Sequence, residues 1–175
     1  MKKILLGVTG SIAAYKAAEL VRLFVKNGDE VRVVMTDSAT KLVAPLTFQT
    51  LSRYPVSIDA FDQPREWKPG HISLAEWADI VVVAPATANT LAKMRYGLAD
   101  NLLTSLLLAT RAPIVVAPAM NEGMWVNPAT QENIAVLRSR GVAIVAPADG
   151  DLACGVKGTG RMAEPDVVLR EVSRL

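Results

Sequence analysis

Apolar residues recur along this chain in two rhythms that alternate from end to end. Short unbroken runs occupy Lys3–Thr9, Glu30–Met35, Ile80–Ala84, Ile114–Ala117 and, more weakly, Ala143–Ala146. Between and after them, Ile12–Lys26, Thr90–Tyr96, Asn101–Ala109, Asn127–Arg140 and Pro165–Leu175 read as helices, and Asn27-Gly28 supplies a stop signal for the first. Ile80-Val81-Val82-Val83-Ala84 has no polar alternation, which predicts a strand covered on both faces. Strands alternating with helices predict an α/β fold: a doubly wound, Rossmann-like (flavodoxin-like) parallel sheet with helices on both faces, as a single domain over residues 1–175. Three runs lead into proline, at Ala84-Pro85, Ala117-Pro118 and Ala146-Pro147. Proline cannot donate to a central ladder, so each marks the expected end of a strand and the start of a loop on the C-terminal face. Two stretches break the rhythm: Ser57–Gly70 reads as an irregular loop, and glycine-rich Asp149–Met162 reads as a flap.

Composition narrows the function classes. Hydrophobic residues make up 51% of the chain and the mean hydropathy is +0.27. An extensive core or an interface between copies must absorb that apolar surface, and the interface is the favoured destination. A net charge of +2, with no basic run interleaved with aromatics, gives no support for nucleic-acid binding. A single cysteine makes no internal disulfide, and one Cys with one His cannot build a four-ligand zinc site. The N-terminal apolar run is cut by Thr9-Gly10-Ser11 before it reaches the roughly 7–15 residues of a signal peptide's apolar region. No stretch approaches the ~20 apolar residues of a membrane span. The expectation is a cytoplasmic protein with no membrane partner.

Candidate chemistry lies between the periodic segments. Gly10-Ser11-Ile12-Ala13 follows the first strand and opens the first helix, where backbone N–H groups and the Ser11 hydroxyl suit a phosphate, or simply cap the helix. The spacing from Gly7 is not a dinucleotide fingerprint, so a mononucleotide fits better. After the second strand, Asp37 suits a ribose or a helix cap equally. Thr87-Ala88-Asn89-Thr90 gathers hydroxyl and amide groups that can bind a flat polar ring, or else Asn89 or Thr90 starts the next helix. His71 stands beside Gly70, before Trp77, and is either catalytic or a satisfied structural residue. Asn121 holds an anion or caps a turn. Cys154 lies in a glycine-rich loop with Lys157 three residues on, a setting that favours a thiolate more than a core position does.

Seven segments carry a resemblance: Gly10–Lys16, Gly70-His71-Ile72, Trp77-Ala78-Asp79, Ala84–Thr90, Asp100-Asn101-Leu102-Leu103, Pro118–Trp125 and Leu152–Met162. Together they span almost the whole chain, which resembles the homo-oligomeric flavin-containing Cys decarboxylases. The Pro118–Trp125 block and the Leu152–Met162 segment are the specific ones. The resemblance implies FMN, its phosphate near Gly10, Ser11, Ile12, Ala13, Thr36 and Ser38, and its ring near Thr87, Ala88, Asn89, Thr90, Ala119 and Met120. It implies that His71 assists an oxidative decarboxylation, that Asn121 holds the substrate carboxylate, that Met124 and Lys157 touch substrate, and that Cys154 donates the final proton from a substrate-covering flap at 149–162.

Within the family, the resemblance points to the branch that converts 4′-phosphopantothenoylcysteine to 4′-phosphopantetheine in coenzyme A biosynthesis. Peptidyl-cysteine decarboxylases of lantibiotic type share the His71 and Pro118–Trp125 motifs but stop at an enethiol. Regulatory flavoprotein subunits that have lost the activity form a further alternative. The implied partners are other copies of the chain, as a homotrimer alone or grouped into a dodecamer, and a phosphopantothenoylcysteine synthetase, fused or separate.

Overall fold

The computed structural model describes residues 1–59, 70–151 and 157–175, leaving aside the side chains of Asp151 and Lys157. The chain order is β1 (Lys3–Val8), α1 (Ala14–Lys26), β2 (Glu30–Met35), α2 (Asp37–Thr40), α3 (Pro45–Ser52), α4 (Gly70–Trp77), β3 (Ile80–Ala86) and α5 (Ala88–Tyr96). It continues with α6 (Leu102–Ala109), β4 (Ile114–Pro118), α7 (Glu122–Trp125), α8 (Pro128–Ser139), β5 (Ala143–Ile144), β6 (Ala148–Asp151), β7 (Lys157–Arg161) and α9 (Pro165–Ser173). The first five strands form one parallel sheet in the order β2-β1-β3-β4-β5, the doubly wound arrangement expected of the sequence.

Strand periodicity divides the core into two layers. Ile4, Leu6, Val82 and Ala84 face a cluster with Leu20, Phe24, Phe48 and Val168 from α1, α3 and α9. Leu5, Val81 and Val83 face the other way, into a cluster with Leu74, Leu91, Leu103, Leu106 and Ile134 from α4, α5, α6 and α8. Every residue of β3 is buried, which is why its sequence shows no alternation. Helix α1 buries Ala14, Ala17, Leu20, Val21 and Phe24, a stripe at three- and four-residue spacing.

Three expectations require correction. Pro85 lies within β3 and Pro118 is the last residue of β4, rather than following those strands. The β3–β4 register shifts between Val83 and Ala86, so the ladder steps past the proline that has no N–H to offer. Asp149–Met162 is more regular than its glycines suggested, because β6 and β7 pair antiparallel as two arms of a hairpin. His71 lies in the first turn of α4, not in an irregular loop. The sequence reading also missed α3 and the four-residue helices α2 and α7, the last two too brief to show a period.

Candidate active site

From the middle of the sheet the chain winds outward in both directions, from β1 to β2 and from β3 through β4 to β5. The loops after β1 and β3 therefore part at the C-terminal edge and open a crevice there. Thr9, 1% exposed, bridges it: its hydroxyl donates to the Pro85 carbonyl at 2.7 Å and accepts the Thr87 N–H at 3.1 Å. One side chain thus fixes two loops. Its only sequence signal is a hydroxyl placed directly after an apolar strand, and sequence reasoning passed over it.

The two segments assigned to a phosphate converge. A Cβ on Gly10 would lie 2.5 Å from the Ser38 Cβ, so only glycine lets the β1 loop reach the start of α2. Ser11 Oγ accepts from the Ala13 N–H at 3.4 Å, and Thr36 caps α2 by accepting from the Ala39 N–H at 3.3 Å. Ala13 is buried, whereas Ile12 is 59% exposed beside the cradle. The cap of α2 is thus Thr36 and not Asp37, which stands in the first turn and forms an exposed ion pair with Lys41 at 3.0 Å.

At the second loop the cap is Thr87, not Asn89 or Thr90 as expected. Thr87 Oγ1 accepts from the Thr90 N–H at 3.2 Å. Thr90 is buried behind it, Ala88 is half-buried and Asn89 is exposed. Beyond β4, the Ala119 N–H donates to the Ala86 carbonyl at 3.1 Å, joining the third loop to the second. Asn121 caps α7, its Oδ1 accepting from the Gly123 N–H at 2.8 Å. Of the two ends of that carboxamide, the nitrogen is the donor a carboxylate requires. Met124 projects from the same turn, 49% exposed.

His71 lies on a different element. The far end of α4 is pinned at the N-terminal edge of the sheet, where Asp79 exchanges hydrogen bonds with Lys3 at 2.8 Å. Trp77, in the last turn, stacks on the Arg32 guanidinium of β2, 4.4 Å from carbon to ring centroid, with the Tyr54 ring at 5.4 Å. A hydrogen bond to Glu30 raises the Tyr54 phenol above its ordinary pKa. Six residues of helix then carry His71 about 9 Å from Trp77. His71 thus rides on the β2 side of the switch, while Asn121 follows β4 on the other side.

The base of the hairpin is fastened to these loops. Gly160 accepts the Met120 N–H at 3.0 Å and has φ 151°, a backbone shape suited to glycine. Lys16, only 4% exposed, donates to the Met162 carbonyl at 3.2 Å and to Glu164 at 3.0 Å, and Arg161 reaches the same carboxylate at 2.9 Å. A buried ammonium thereby ties the helix of the cradle to the strand that leaves the hairpin. Cys154 lies outside the described residues, and of Lys157 only the backbone position in β7 is described.

One motif of the resemblance, Asp100–Leu103, is accounted for by folding. Asn101 and Thr104 form a reciprocal cap at the start of α6. Asp100 binds Lys93 at 2.7 Å, which lowers its carboxyl below the ordinary range. Leu103 packs where Gly7 lacks a side chain; a Cβ there would lie 2.6 Å from the leucine.

The Flavoprotein family model matches residues 1–175. The Coenzyme A biosynthesis bifunctional protein CoaBC of Vibrio parahaemolyticus is 54% identical over 164 residues, which is 94% of this chain and 41% of that protein. The chain therefore spans about two fifths of the length of that curated relative. Among solved structures, a Cys-to-Ser mutant of PPC decarboxylase complexed with pantothenoylaminoethenethiol superposes with a TM-score of 0.88 at 36% identity, covering 99% of this chain and 97% of that one. The FMN-dependent cysteine decarboxylase SpaF gives a TM-score of 0.81 at 32% identity and covers 98% of each chain.

Proposed function

The chain belongs to the Flavoprotein family, and from that premise we propose that it uses FMN to decarboxylate 4′-phosphopantothenoylcysteine to 4′-phosphopantetheine, a step of coenzyme A biosynthesis. The reading treats residues 1–175 as one FMN-binding decarboxylase domain with the 149–162 segment covering the substrate. The observation that carries it is the 3.1 Å bond from the Ala119 N–H to the Ala86 carbonyl. That bond supports the reading because it joins the strand end ahead of Asn121, which we assign to the substrate carboxylate, to the strand end ahead of Thr87–Thr90, which we assign to the flavin ring.

FMN suits the residues present. The Gly10–Ser38 contact closes a backbone-lined cradle for a phosphate, with Ser11, Ile12, Ala13 and Thr36 around it. We assign Thr87, Ala88, Asn89, Thr90, Ala119 and Met120 to the flavin ring, with Thr90 and Ala119 acting from buried positions. FMN in this position supplies a two-electron acceptor and donor.

A cysteine carboxylate resists direct loss of CO2, because the carbanion left behind has no neighbouring group to receive its charge. Removal of two electrons and two protons from CH2–SH gives a thiocarbonyl, which accepts the electron pair of the breaking C–C bond as an enethiolate. Return of two electrons and two protons completes a redox-neutral cycle. Asn121 holds the departing carboxylate through its amide nitrogen, and His71 moves a proton in the first half. Cys154 gives the proton to carbon in the second half, with Met124 and Lys157 contacting the pantothenoyl portion. A PPC decarboxylase Cys-to-Ser mutant holding an aminoethenethiol is what a cycle stalled at that last protonation predicts, and it supports this division of labour.

Ile12, Tyr15, Leu42, Leu46, Met124 and Val126 are exposed apolar side chains. They support assembly as a homotrimer, alone or in a dodecamer, with FMN near the interface and His71 turned toward a neighbour's flavin. The described residues hold no helix long and apolar enough to cross a membrane. We place the protein in the cytoplasm, fused to or working beside phosphopantothenoylcysteine synthetase.

The test is anaerobic turnover of 4′-phosphopantothenoylcysteine by FMN-loaded protein, with product identified by mass. Wild type yields 4′-phosphopantetheine. Cys154→Ser still releases CO2 but yields a product lighter by two hydrogens, because a serine hydroxyl is a far weaker acid toward carbon. An enethiol from the wild type would move the chain to the peptide-modifying branch, and no CO2 would favour a regulatory flavoprotein.

A further inference from the structure

Asn121 is bracketed by two contacts to the same strand. On one side, the Met120 N–H donates to the Gly160 carbonyl of β7 at 3.0 Å. On the other, Glu122 Oε1 accepts the Thr159 N–H of β7 at 3.3 Å. Gly158 makes that second contact sterically exclusive. A Cβ at this position would lie 2.5 Å from Glu122 Oε2 and 2.6 Å from its Cδ. Gly158 has no positive φ, so the absent side chain marks a close approach rather than a backbone requirement. Thr159 is held in turn, its hydroxyl bonding the Asp149 carboxylate across the hairpin.

We propose that Glu122 is a positioning residue for Asn121: its carboxylate, received by the Thr159 N–H in the space Gly158 leaves, sets the Asn121 carboxamide against the hairpin. The proposal rests on the decarboxylase reading, in which Asn121 holds the substrate carboxylate. Glu122 places a negative charge one residue from an anion-holding group, which on charge alone weakens substrate binding. The contact with β7 explains why a carboxylate is useful there: a charged acceptor bonds a backbone N–H more strongly than a neutral one. The hairpin base and the substrate-holding residue then move as one body. Loss of the contact removes one of the two bonds that hold the neighbours of Asn121 to β7, and it weakens binding of the carboxylate without changing the chemistry that follows.

The experiment compares FMN-loaded wild type, Glu122→Ala, Glu122→Gln, Gly158→Ala and the Glu122→Ala/Gly158→Ala double variant, by CO2 release from 4′-phosphopantothenoylcysteine. Glu122→Ala raises KM roughly ten-fold, the scale of one hydrogen bond to a charged group, with kcat and FMN affinity unchanged. Glu122→Gln retains an acceptor and keeps KM close to wild type. Gly158→Ala expels the carboxylate and reproduces the Glu122→Ala value, yet adds nothing when Glu122 is already alanine. Equal KM values in all five proteins would overturn the proposal. So would a Gly158→Ala effect of the same size in both backgrounds, or a Gln variant as impaired as Ala. Wild-type CO2 release is the separate control. Its absence overturns the decarboxylase reading and this role with it, whereas an active wild type beside indifferent variants overturns the positioning role alone.

Discussion

Asp100–Thr104 and Pro118–Trp125 both hold segments that carry the resemblance, and the fold treats them in opposite ways. In the first, the polar groups are spent on the structure: Asp100 on Lys93, Asn101 and Thr104 on each other. The apolar pair behind them is buried, and Leu103 fills the space left by Gly7. In the second, Ala119 is buried but Asn121, Glu122 and Met124 face solvent on a helix of four residues. Burial of apolar surface cannot explain a methionine that is 49% exposed. A motif that marks a family is therefore either one the fold consumes or one the fold presents. Where its side chains end up distinguishes the two.

The largest expected effects test the presented side. On the proposed reading His71 moves a proton, so His71→Asn should lower CO2 release by roughly 10²–10⁴-fold while FMN remains bound. Asn121→Asp is more selective. The aspartate still accepts the Gly123 N–H and so keeps the cap, but it replaces the donor needed by a carboxylate with a like charge. Turnover should drop about a hundred-fold or more with thermal stability nearly unchanged. If either variant turned over normally, its side chain would belong with the consumed group instead.

The consumed side predicts the reverse pattern. Leu103→Ala leaves a cavity between α6 and β1 and should cost about 2–5 kcal/mol in denaturant unfolding. Asn101→Ala removes one member of the reciprocal cap, at a cost of about 1 kcal/mol. Neither should alter KM or FMN affinity at a temperature where the variant remains folded. A KM change in Asn101→Ala with no loss of stability would break the division between the two motifs.

Much of the consumed side was legible in the sequence, because burial leaves a periodic trace. The strand starts, the helices over α1, α5, α6, α8 and α9, and the flavodoxin-like winding follow from apolar spacing alone. Legibility failed where a local rule met a tertiary exception. Pro85 sits within a central strand because the neighbouring ladder shifts register around it. His71 is helical because Leu74 and Ala75 are buried and Trp77 stacks on Arg32, contacts between residues far apart in sequence. Thr9 carried no motif that distinguished it, and Lys16, though it ends a segment of the resemblance, carried no sign of what it binds. Their importance lies in partners 76 to 148 residues away. The chemistry assigned to Asn121 came from resemblance, and what the fold adds is its place beside the β3 loop and the hairpin.

The smallest expected effect is also the narrowest test of the consumed side. The Lys93 ammonium bonds the Asp100 carboxylate and holds it below the ordinary carboxylate range. A carboxyl depressed by folding stabilises the native state at pH values above its unfolded pKa, near 4, and that contribution disappears as pH falls through the lower, folded value. Asp100→Asn should therefore lower the thermal midpoint slightly at neutral pH, and the gap from wild type should close on acidification below about pH 4. The pair is solvent-exposed on the aspartate side, so added salt should narrow the neutral-pH gap as well. CO2 release and its KM should not respond, since the pair ends in a helix cap. A gap that persisted undiminished in acid would assign the effect to the Thr104 and Asn101 contacts of Asp100 rather than to its charge. A change in KM would instead mean that the Asp100–Thr104 stretch, consumed as it is by the fold, still reaches the site.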